Sequence, residues 1–155
     1  MVELSGAGSV SLSEIEARCR SSFERQRFMS TLGAHLIAVS PGEVVIEFAF
    51  DDRLTQQHGF IHAGAITSIV DSACGYAALT LMAEGAAVLS VEFKINLLKP
   101  AAGTRFRATG KVLRSGRTLS VCLGIVEAEA NGQWSAIAAM QATMMTLTDR
   151  PSLTD

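Results

Sequence analysis

The sequence predicts an α+β domain in which an antiparallel sheet packs on one long buried helix. Residues 63–83 (AGAITSIVDSACGYAALTLMA) carry no charge except Asp71, and their length and Ala and Leu content favour a helix over a strand. From Ala87 onward the apolar period changes to two, which is typical of strands with one covered face. With 155 residues, 48% of them hydrophobic, the chain can bury such a core.

Each further element follows from a local pattern. A capping box formed by Ser11 or Ser13 with Glu14 or Glu16 predicts a helix over 11–31. Turn residues and alternating apolar residues predict the strands and boundaries that follow. We expect a hairpin of 33–40 and 43–50 around Pro41-Gly42, a loop over 51–61, the helix over 63–82, and strands over 87–97, 105–113, 118–128 and 134–148. The predicted organisation is an N-terminal segment 1–32, one domain 33–148 and a tail 149–155.

The composition narrows the compartment and the class of protein. Cys19, Cys74 and Cys122 are widely spaced, which predicts no disulfide framework or zinc site and favours a reducing compartment. The first ten residues lack a basic start and an apolar run, so no export signal is visible and we expect a cytoplasmic protein. Residues 63–83 are long enough to span a bilayer, but Asp71 near its centre favours a buried helix.

Two absent sequence patterns and the mean hydropathy lead to expectations about cofactors, catalytic chemistry and assembly. No cluster of His, Cys and Asp has metal-ligand spacing and no Gly-x-Ser-x-Gly motif is present, so we expect no metal, no cofactor and no serine nucleophile. The mean hydropathy of +0.30 predicts that apolar surface is covered in a subunit interface.

Asp71 is the principal candidate for a functional residue. A charge among apolar residues is costly unless it is paired, hydrogen-bonded or used in chemistry. Helical spacing places small and weakly polar residues on the same face and leaves bulky apolar residues (Ile66, Ile69, Val70) for the opposite one. The residues predicted to share the face of Asp71 are Gly64, Thr67, Ser68, Cys74, Gly75 and Ala78. The alternative is a structural Asp that bonds a hydroxyl or a neighbouring subunit.

The start of the same helix, His62-Ala63-Gly64, offers a second candidate. Free backbone N–H groups and the positive end of the helix dipole suit an oxyanion. Asp71 follows His62 by nine residues, or about 13 Å of helix. The two therefore serve different parts of one ligand, or a second subunit supplies the partner group.

These motifs resemble the PaaI-type hotdog-fold acyl-CoA thioesterases. The resemblance is carried by residues 56–64 (QQHGFIHAG), by Asp71-Ser72-Ala73 and by 75–78 (GYAA). Residues 91–100 (VEFKINLLKP) and Gly116-Arg117-Thr118 are similar to the family's third strand and coenzyme A loop. The resemblance implies a long helix wrapped by an antiparallel sheet, and homodimers or homotetramers with active sites between subunits.

The resemblance also implies roles for individual residues. Asp71 matches the catalytic acid, as general base or nucleophile. Ala63 matches the first glycine of the family's His-Gly-Gly, whose N–H polarises the thioester carbonyl, with Gly64 as a second donor. Gln56, or its neighbour Gln57, falls where the family orients the carbonyl or water. Ser90 matches a position close to the acid across the dimer.

The remaining candidates are substrate contacts. We expect His62 to hold the loop by hydrogen bonds, and His35 to be structural or at the surface. Tyr76, Leu79 and Met82 are candidates to shape the acyl pocket. The full set of candidate substrate-binding residues is Gln57, His62, Thr67, Ser68, Gly75, Arg114, Ser115, Gly116 and Arg117.

The charge distribution predicts an anionic partner. Residues 93–126 contain no Asp or Glu but hold seven of the thirteen Lys and Arg residues. A solubilising sheet edge is the alternative, and nucleic acid is disfavoured because the segment lacks a stacking platform. Coenzyme A phosphates suit a few Arg and Lys groups, and Arg114-Ser115-Gly116-Arg117 is the expected contact.

The sequence therefore predicts an acyl-CoA thioesterase. Two rivals remain: a non-catalytic acyl-CoA binding or sensing domain on the same fold, and an acyl-thioester dehydratase or hydratase. The sequence does not distinguish aryl from aliphatic acyl groups.

Overall fold

A computed structural model describes residues 11–148 and 152–153. Its six strands form one sheet in the order β1-β2-β4-β5-β6-β3, and every neighbouring pair is antiparallel. The predicted antiparallel sheet around a long helix is confirmed. The elements are α1 (Leu12–Arg25), α2 (Arg27–Thr31), β1 (His35–Ser40), β2 (Glu43–Ala49), a 3₁₀ turn (Asp52–Leu54), α3 (Ala63–Leu79), β3 (Ala87–Leu97), β4 (Arg105–Ser115), β5 (Leu119–Ala130) and β6 (Gln133–Leu147).

The inner face of the sheet and the covered side of α3 form the core. Alternate residues of each central strand point at the helix, as the period of two predicts. Phe48 of β2 and Phe106 of β4 are register partners, and their rings stack with centroids 5.1 Å apart. Together these side chains and those of α3 remove the middle of the sheet from solvent.

Two glycines let α3 lie directly on the sheet. Gly110 of β4 and Gly124 of β5 are register partners beneath the helix. A Cβ on Gly110 would lie 2.3 Å from the carbonyl carbon of Ala73 and 2.4 Å from the backbone nitrogen of Cys74. A Cβ on Gly124 would lie 2.3 Å from Cγ2 of Val70. These close contacts fix the distance between α3 and the sheet and the position of the helix over the strands.

The central helix is shorter than the sequence predicts. It has 17 residues and ends at Leu79, and the hydroxyl of the next residue, Thr80, accepts the Gly42 N–H at 2.7 Å, which ties this end of the helix to the turn between β1 and β2. In the part of the chain that the structure describes, no helix is long and apolar enough to cross a membrane.

The N-terminal helix α1 is anchored to the carboxyl end of α3. The capping box of Ser11 with Glu14 is confirmed. The guanidinium of Arg18 donates to the carbonyls of Leu79, Ala83 (3.0 Å) and Met82 (3.1 Å), which stabilises the carboxyl end of α3.

The predicted single helix over 11–31 is wrong in one respect, because it breaks at Gln26. That residue has an extended backbone (φ −75°, ψ 93°) and separates α1 from α2. The break turns the chain beside the middle of α3, where the Gln26 side chain lies close to Ser72 and Tyr76.

A bulge in β3 overturns the strict alternation expected there. Ser90 pairs with Met144 and Glu92 with Thr143, so Val91 has no register partner. Ser90 therefore faces the helix, whereas Glu92, on the same side by simple counting, faces outward and bonds Thr143. Phe93, Ile95 and Leu97 stay on the inner face, as their register partners show.

Replacing Gly110 with alanine tests the close contact between α3 and the sheet. The new methyl group meets helix backbone, which cannot rotate away, so Gly110→Ala should lower the free energy of unfolding by about 3 kcal/mol. Urea unfolding measures this, with Thr109→Ala on the outer face of the same strand expected within about 0.5 kcal/mol of wild type. A similar small effect in both variants would show that the helix does not rest on Gly110.

Candidate active site

The start of α3 is held by His62. Its Nδ1 accepts the backbone N–H of Gly64 at 2.8 Å, so His62 is the N-cap of the helix. A Cβ on Gly64 would lie 2.9 Å from that Nδ1, which explains the glycine. The expected loop-holding role of His62 is confirmed, and the Gly64 N–H is occupied. Among the described residues no acceptor bonds the Ala63 N–H, which leaves it available to a ligand.

The loop before the helix is folded on itself through Gln56. Its Oε1 accepts the His58 N–H, and its backbone N–H donates to Phe60 at 2.8 Å. Gly59 has φ +82°, a conformation that favours glycine. This loop, with the end of β3 and the residues that follow it, surrounds a cavity of about 590 Å³. Its lining is largely apolar and includes Gln56, Gln57, His62, Ala63, Ile66, Leu97, Leu98, Lys99 and Ile137.

Asp71 lies half-buried on the side of α3 that the sheet leaves uncovered. The hydroxyl of Ser90 donates to its Oδ1 at 2.6 Å. This bond is made within one chain, so the expectation that Ser90 approaches the acid across a dimer is wrong; the β3 bulge is the reason. A cavity of about 110 Å³ opens here, lined by Gln26, Asp71, Ser72, Gly75, Tyr76, Val88 and Ser90.

The uncovered face of α3 is narrower than its sequence predicts. Gly64, Thr67, Ser68 and Gly75 share it with Asp71, but Cys74 and Ala78 are buried against the sheet, so their placement on this face is wrong. The hydroxyls of Thr67 and Ser68 bond the carbonyls one turn earlier, at 2.8 and 2.7 Å.

Of the three residues expected to shape the acyl pocket, only Tyr76 lines the cavity of Asp71. Leu79 is fully buried in the core, and Met82 packs against it.

Most candidate residues near α3 fall into two groups that one chain keeps apart, and Gly64, Thr67 and Ser68 line neither cavity. Gln56, Gln57, His62 and Ala63 line the larger cavity, whereas Asp71, Gly75 and Ser90 line the smaller one. Ala63 and Asp71 are eight residues apart on one straight helix, about 12 Å along its axis. Within one chain, an acid and an oxyanion donor so placed cannot act on the same carbonyl group.

Three of the seven cations in the basic segment, residues 93–126, pair with acids of neighbouring strands, which lowers the free positive charge that the sequence suggests. Arg107 pairs with Glu47 at 2.5 Å and lies 4.0 Å from the ring centroid of Trp134. Lys111 pairs with Glu43 at 3.3 Å. The acids come from strands distant in sequence, so counting along 93–126 cannot reveal them.

The other four cations of the basic segment have no ion-pair partner among the described residues. Among the described residues no carboxylate lies within ion-pair distance of Lys94, Lys99, Arg114 or Arg117. Arg114-Ser115-Gly116-Arg117 forms the exposed β4–β5 turn. The register runs from Ser115 through Ser120 and Met144 to Ser90, so this turn and Asp71 share one end of the sheet.

Two buried thiols are protonated at neutral pH, and two histidines lie at the surface. Burial raises the pKa of Cys74 far above its ordinary value and that of Cys122 to about 11, so both stay protonated at neutral pH. Within 11–148 and 152–153, no group of three or more His, Cys, Asp or Glu is placed to hold a metal ion. His35 and His58 are exposed.

Two residues that line the cavity of Asp71, Gln26 and Val88, were not predicted from the sequence. Gln26 precedes α3 by many residues in a segment that reads as an ordinary surface helix. No periodic pattern marks either residue.

The fold and the paired cavities define a hotdog-type thioesterase domain, and comparison with known proteins supports that class. The pattern of the Thioesterase superfamily matches residues 58–135. A thioesterase family protein from Silicibacter pomeroyi superposes with a TM-score of 0.85 at 50% identity, covering 86% of this chain and 98% of that one. The E. coli PaaI protein, from the phenylacetic acid degradation operon, shares the fold at 21% identity, with a TM-score of 0.79 over 89% of this chain and 97% of that one.

Related sequences carry esterase and thioesterase names. A Saccharolobus solfataricus protein whose name assigns it provisionally to the esterases is 34% identical over 110 residues, 66% of this chain and 78% of that protein. Acyl-coenzyme A thioesterase 13 of Homo sapiens is 31% identical over 86 residues, 55% of this chain and 61% of that protein. The chain belongs to the Thioesterase superfamily, and it is a PaaI-like hotdog thioesterase.

The contact between His62 and Gly64 predicts a specific pattern of coupling. Gly64→Ala should lower the free energy of unfolding by about 1 kcal/mol, because its methyl group displaces the capping ring. In a His62→Ala background the same change should instead be stabilising by up to about 1 kcal/mol, since alanine is the better helix former. Urea unfolding of the four proteins measures the cycle, and an equal loss in both backgrounds would contradict the cap.

Proposed function

We propose that this protein hydrolyses acyl-CoA thioesters to a carboxylic acid and free coenzyme A. The observation that carries the proposal is Asp71, a carboxylate held by Ser90 at 2.6 Å at the edge of a cavity on the uncovered face of α3. Membership of the Thioesterase superfamily supplies the reaction class. The human relative named acyl-coenzyme A thioesterase 13 supports coenzyme A as the leaving group.

Asp71 acts on the water or on the thioester carbon. As general base, it removes a proton from water as the water oxygen bonds the carbonyl carbon. The C–S bond then breaks, and the proton passes to the departing thiolate. As nucleophile, the carboxylate forms an anhydride that water hydrolyses to the same products. In either route the Ser90 hydroxyl on Oδ1 fixes the carboxylate and leaves Oδ2 for the reaction.

Ala63 stabilises the negative charge that develops on the carbonyl oxygen. Its N–H has no acceptor among the described residues and lies at the positive end of α3. Gln56, beside it in the same cavity, orients the carbonyl group or the water. Its neighbour Gln57 lines the same cavity and remains the alternative for this role.

A homodimer brings the two cavities together. β3 is an edge strand of 11 residues, and Leu89, Val91 and Phe93 on it are 43–52% exposed. Such an edge pairs readily with another strand. In antiparallel pairing about a two-fold axis between Phe93 and Lys94, Ser90 of one chain lies opposite Leu97 of its partner. The cavity of Asp71 then adjoins the partner's cavity with its Ala63 N–H.

The outer face of the sheet supports association of two such dimers. Leu113, Leu119, Leu123 and Ile125 are 42–65% exposed there. Single exposed leucines are ordinary, but a group of this kind on adjacent strands marks an interface. A homotetramer covers it and accounts for the high mean hydropathy.

The unpaired cations hold the nucleotide of coenzyme A. Arg114 and Arg117 flank Gly116 in the exposed β4–β5 turn, and guanidinium groups bind phosphate oxygens bidentately. The turn lies three strands from Ser90, or about 14 Å across the sheet. The pantetheine arm spans the interval between the phosphates and the thioester. Coenzyme A is an intracellular metabolite, and the three free cysteine thiols suit the reducing cytoplasm in which we place the protein.

The decisive test of the proposal replaces the acid. Asp71→Asn keeps the size of the side chain and removes the base, so kcat for acyl-CoA hydrolysis should fall at least about a hundredfold. Thiol release from phenylacetyl-, benzoyl- and straight-chain acyl-CoA measures the rate.

The matched control is Glu84→Gln, which makes the same chemical change on an exposed residue of the turn between α3 and β3 and should leave the rate unchanged. Equal slow rates in wild type and Asp71→Asn would make Asp71 structural. Tight binding of acyl-CoA without turnover would instead identify a binding or sensing domain, and hydration of an enoyl thioester would identify a hydratase.

A second prediction isolates the oxyanion donor. Ala63 is the first residue of α3 and His62 before it is extended (φ −61°, ψ 138°), so proline is accommodated there. Ala63→Pro removes the N–H and should lower kcat about a hundredfold or more without loss of thermal stability. Ala63→Gly keeps the N–H and should retain activity. A fully active Ala63→Pro enzyme would exclude this donor.

A further inference from the structure

Gln26 reaches the candidate active site from outside the segment that matches the superfamily. It lies in the break between α1 and α2, and its side chain is half-buried against α3. Its Nε2 donates to the Tyr76 hydroxyl at 3.3 Å, and its Oε1 accepts from Ser72 at 3.4 Å. Both contacts are at the long end of the hydrogen-bond range, so they hold the side chain only weakly.

The same side chain borders a further cavity of about 380 Å³. This cavity lies between the α1–α2 break and β1, on the other side of Gln26 from Asp71. Among the described residues, Gln26 alone lines both this cavity and that of Asp71. The lining of this wider cavity combines the buried apolar residues Phe23, Ala34 and Leu36 with polar residues.

The backbone that presents Gln26 is firmly placed. Arg18 binds the carboxyl end of α3, and the Phe23 ring packs against Tyr76 with centroids 5.8 Å apart. Ser22 bonds the Tyr76 hydroxyl at 3.1 Å. The backbone around the α1–α2 break is therefore held in place. The long and weakly held side chain of Gln26 separates the small cavity of Asp71 from the larger cavity beside β1.

We propose that Gln26 is a specificity-determining residue that closes the acyl end of the Asp71 cavity and restricts the enzyme to compact acyl groups. The inference rests on the proposed function, since it places the reacting carbonyl group at Asp71. The substituent on that carbonyl carbon extends toward Tyr76, Val88 and Gln26, which line the far side of the cavity. With Gln26 in place the cavity holds a short chain. Without its amide, a longer chain continues into the space beside Phe23.

Three variants separate size from hydrogen bonding. Gln26→Ala removes the wall, Gln26→Leu keeps its bulk but not its hydrogen bonds, and Thr31→Ala changes an exposed residue of α2 that lines neither cavity. Each is assayed as the full chain by thiol release from butanoyl-, octanoyl- and dodecanoyl-CoA. Dissociation constants for the corresponding non-hydrolysable thioethers are measured by calorimetry in parallel.

The expected result is a change in selectivity. In Gln26→Ala the ratio of kcat/KM for dodecanoyl-CoA to that for butanoyl-CoA should rise about tenfold or more. The affinity for the dodecanoyl thioether should likewise rise relative to the affinity for the butanoyl thioether. Gln26→Leu and Thr31→Ala should keep the wild-type ratio.

Three results would overturn the inference, and they are distinguishable. Equal changes for all three chain lengths in Gln26→Ala, with wild type active, would show that Gln26 only supports the fold and would leave the thioesterase proposal intact. Neither turnover nor thioether binding by wild type would refute both. A shift in Gln26→Leu as large as that in Gln26→Ala would assign the effect to hydrogen bonding and not to the wall.

Discussion

The close contact of α3 with Gly110 and Gly124 of the sheet is the constraint on which the rest of the structure depends. Because no side chain intervenes at Gly110, the helix lies as close to the sheet as its own backbone allows. This short distance to the sheet buries the apolar side of α3 completely. It leaves uncovered a row of small and polar residues on the opposite side of the helix, from Gly64 to Gly75. Asp71 occupies this row, so its partial access to solvent follows from how the helix is seated.

The sheet covers α3 incompletely, and the uncovered side of the helix carries the candidate catalytic acid. β3 carries the inner-facing Ser90 only because Val91 bulges out of register. The same strand exposes apolar residues along an unpaired edge. One chain thus presents an acid at one end of β3 and a free N–H near the other. In the proposed homodimer each active site takes its acid from one chain and its N–H from the partner.

The sequence predicted much of this arrangement, because the signals concerned are local. Uncharged helical length located α3, alternation located the strands, and the isolated charge identified Asp71. The His62 cap could be anticipated from its place before the first helical turn.

What the sequence did not predict depends on contacts between distant segments. The ion pairs of Arg107 and Lys111 are formed with β2, so a count along the chain overestimated the free positive charge. The bulge at Val91 reversed which face Ser90 occupies, and no periodic pattern encodes it. The break at Gln26 lies in a segment of ordinary helical character, and its contact with Tyr76 exists only in the folded chain.

The most direct test of the shared active site is the activity of a purified heterodimer with Ala63→Pro in one chain and Asp71→Asn in the other. If each site takes its acid from one chain and its N–H from the partner, one site of two is intact and the heterodimer should show about half the wild-type kcat. A heterodimer of wild type with the double variant should then be inactive, since both of its sites are damaged. The reverse pattern, an inactive first heterodimer and a half-active second, would place the whole site in one chain and contradict the account.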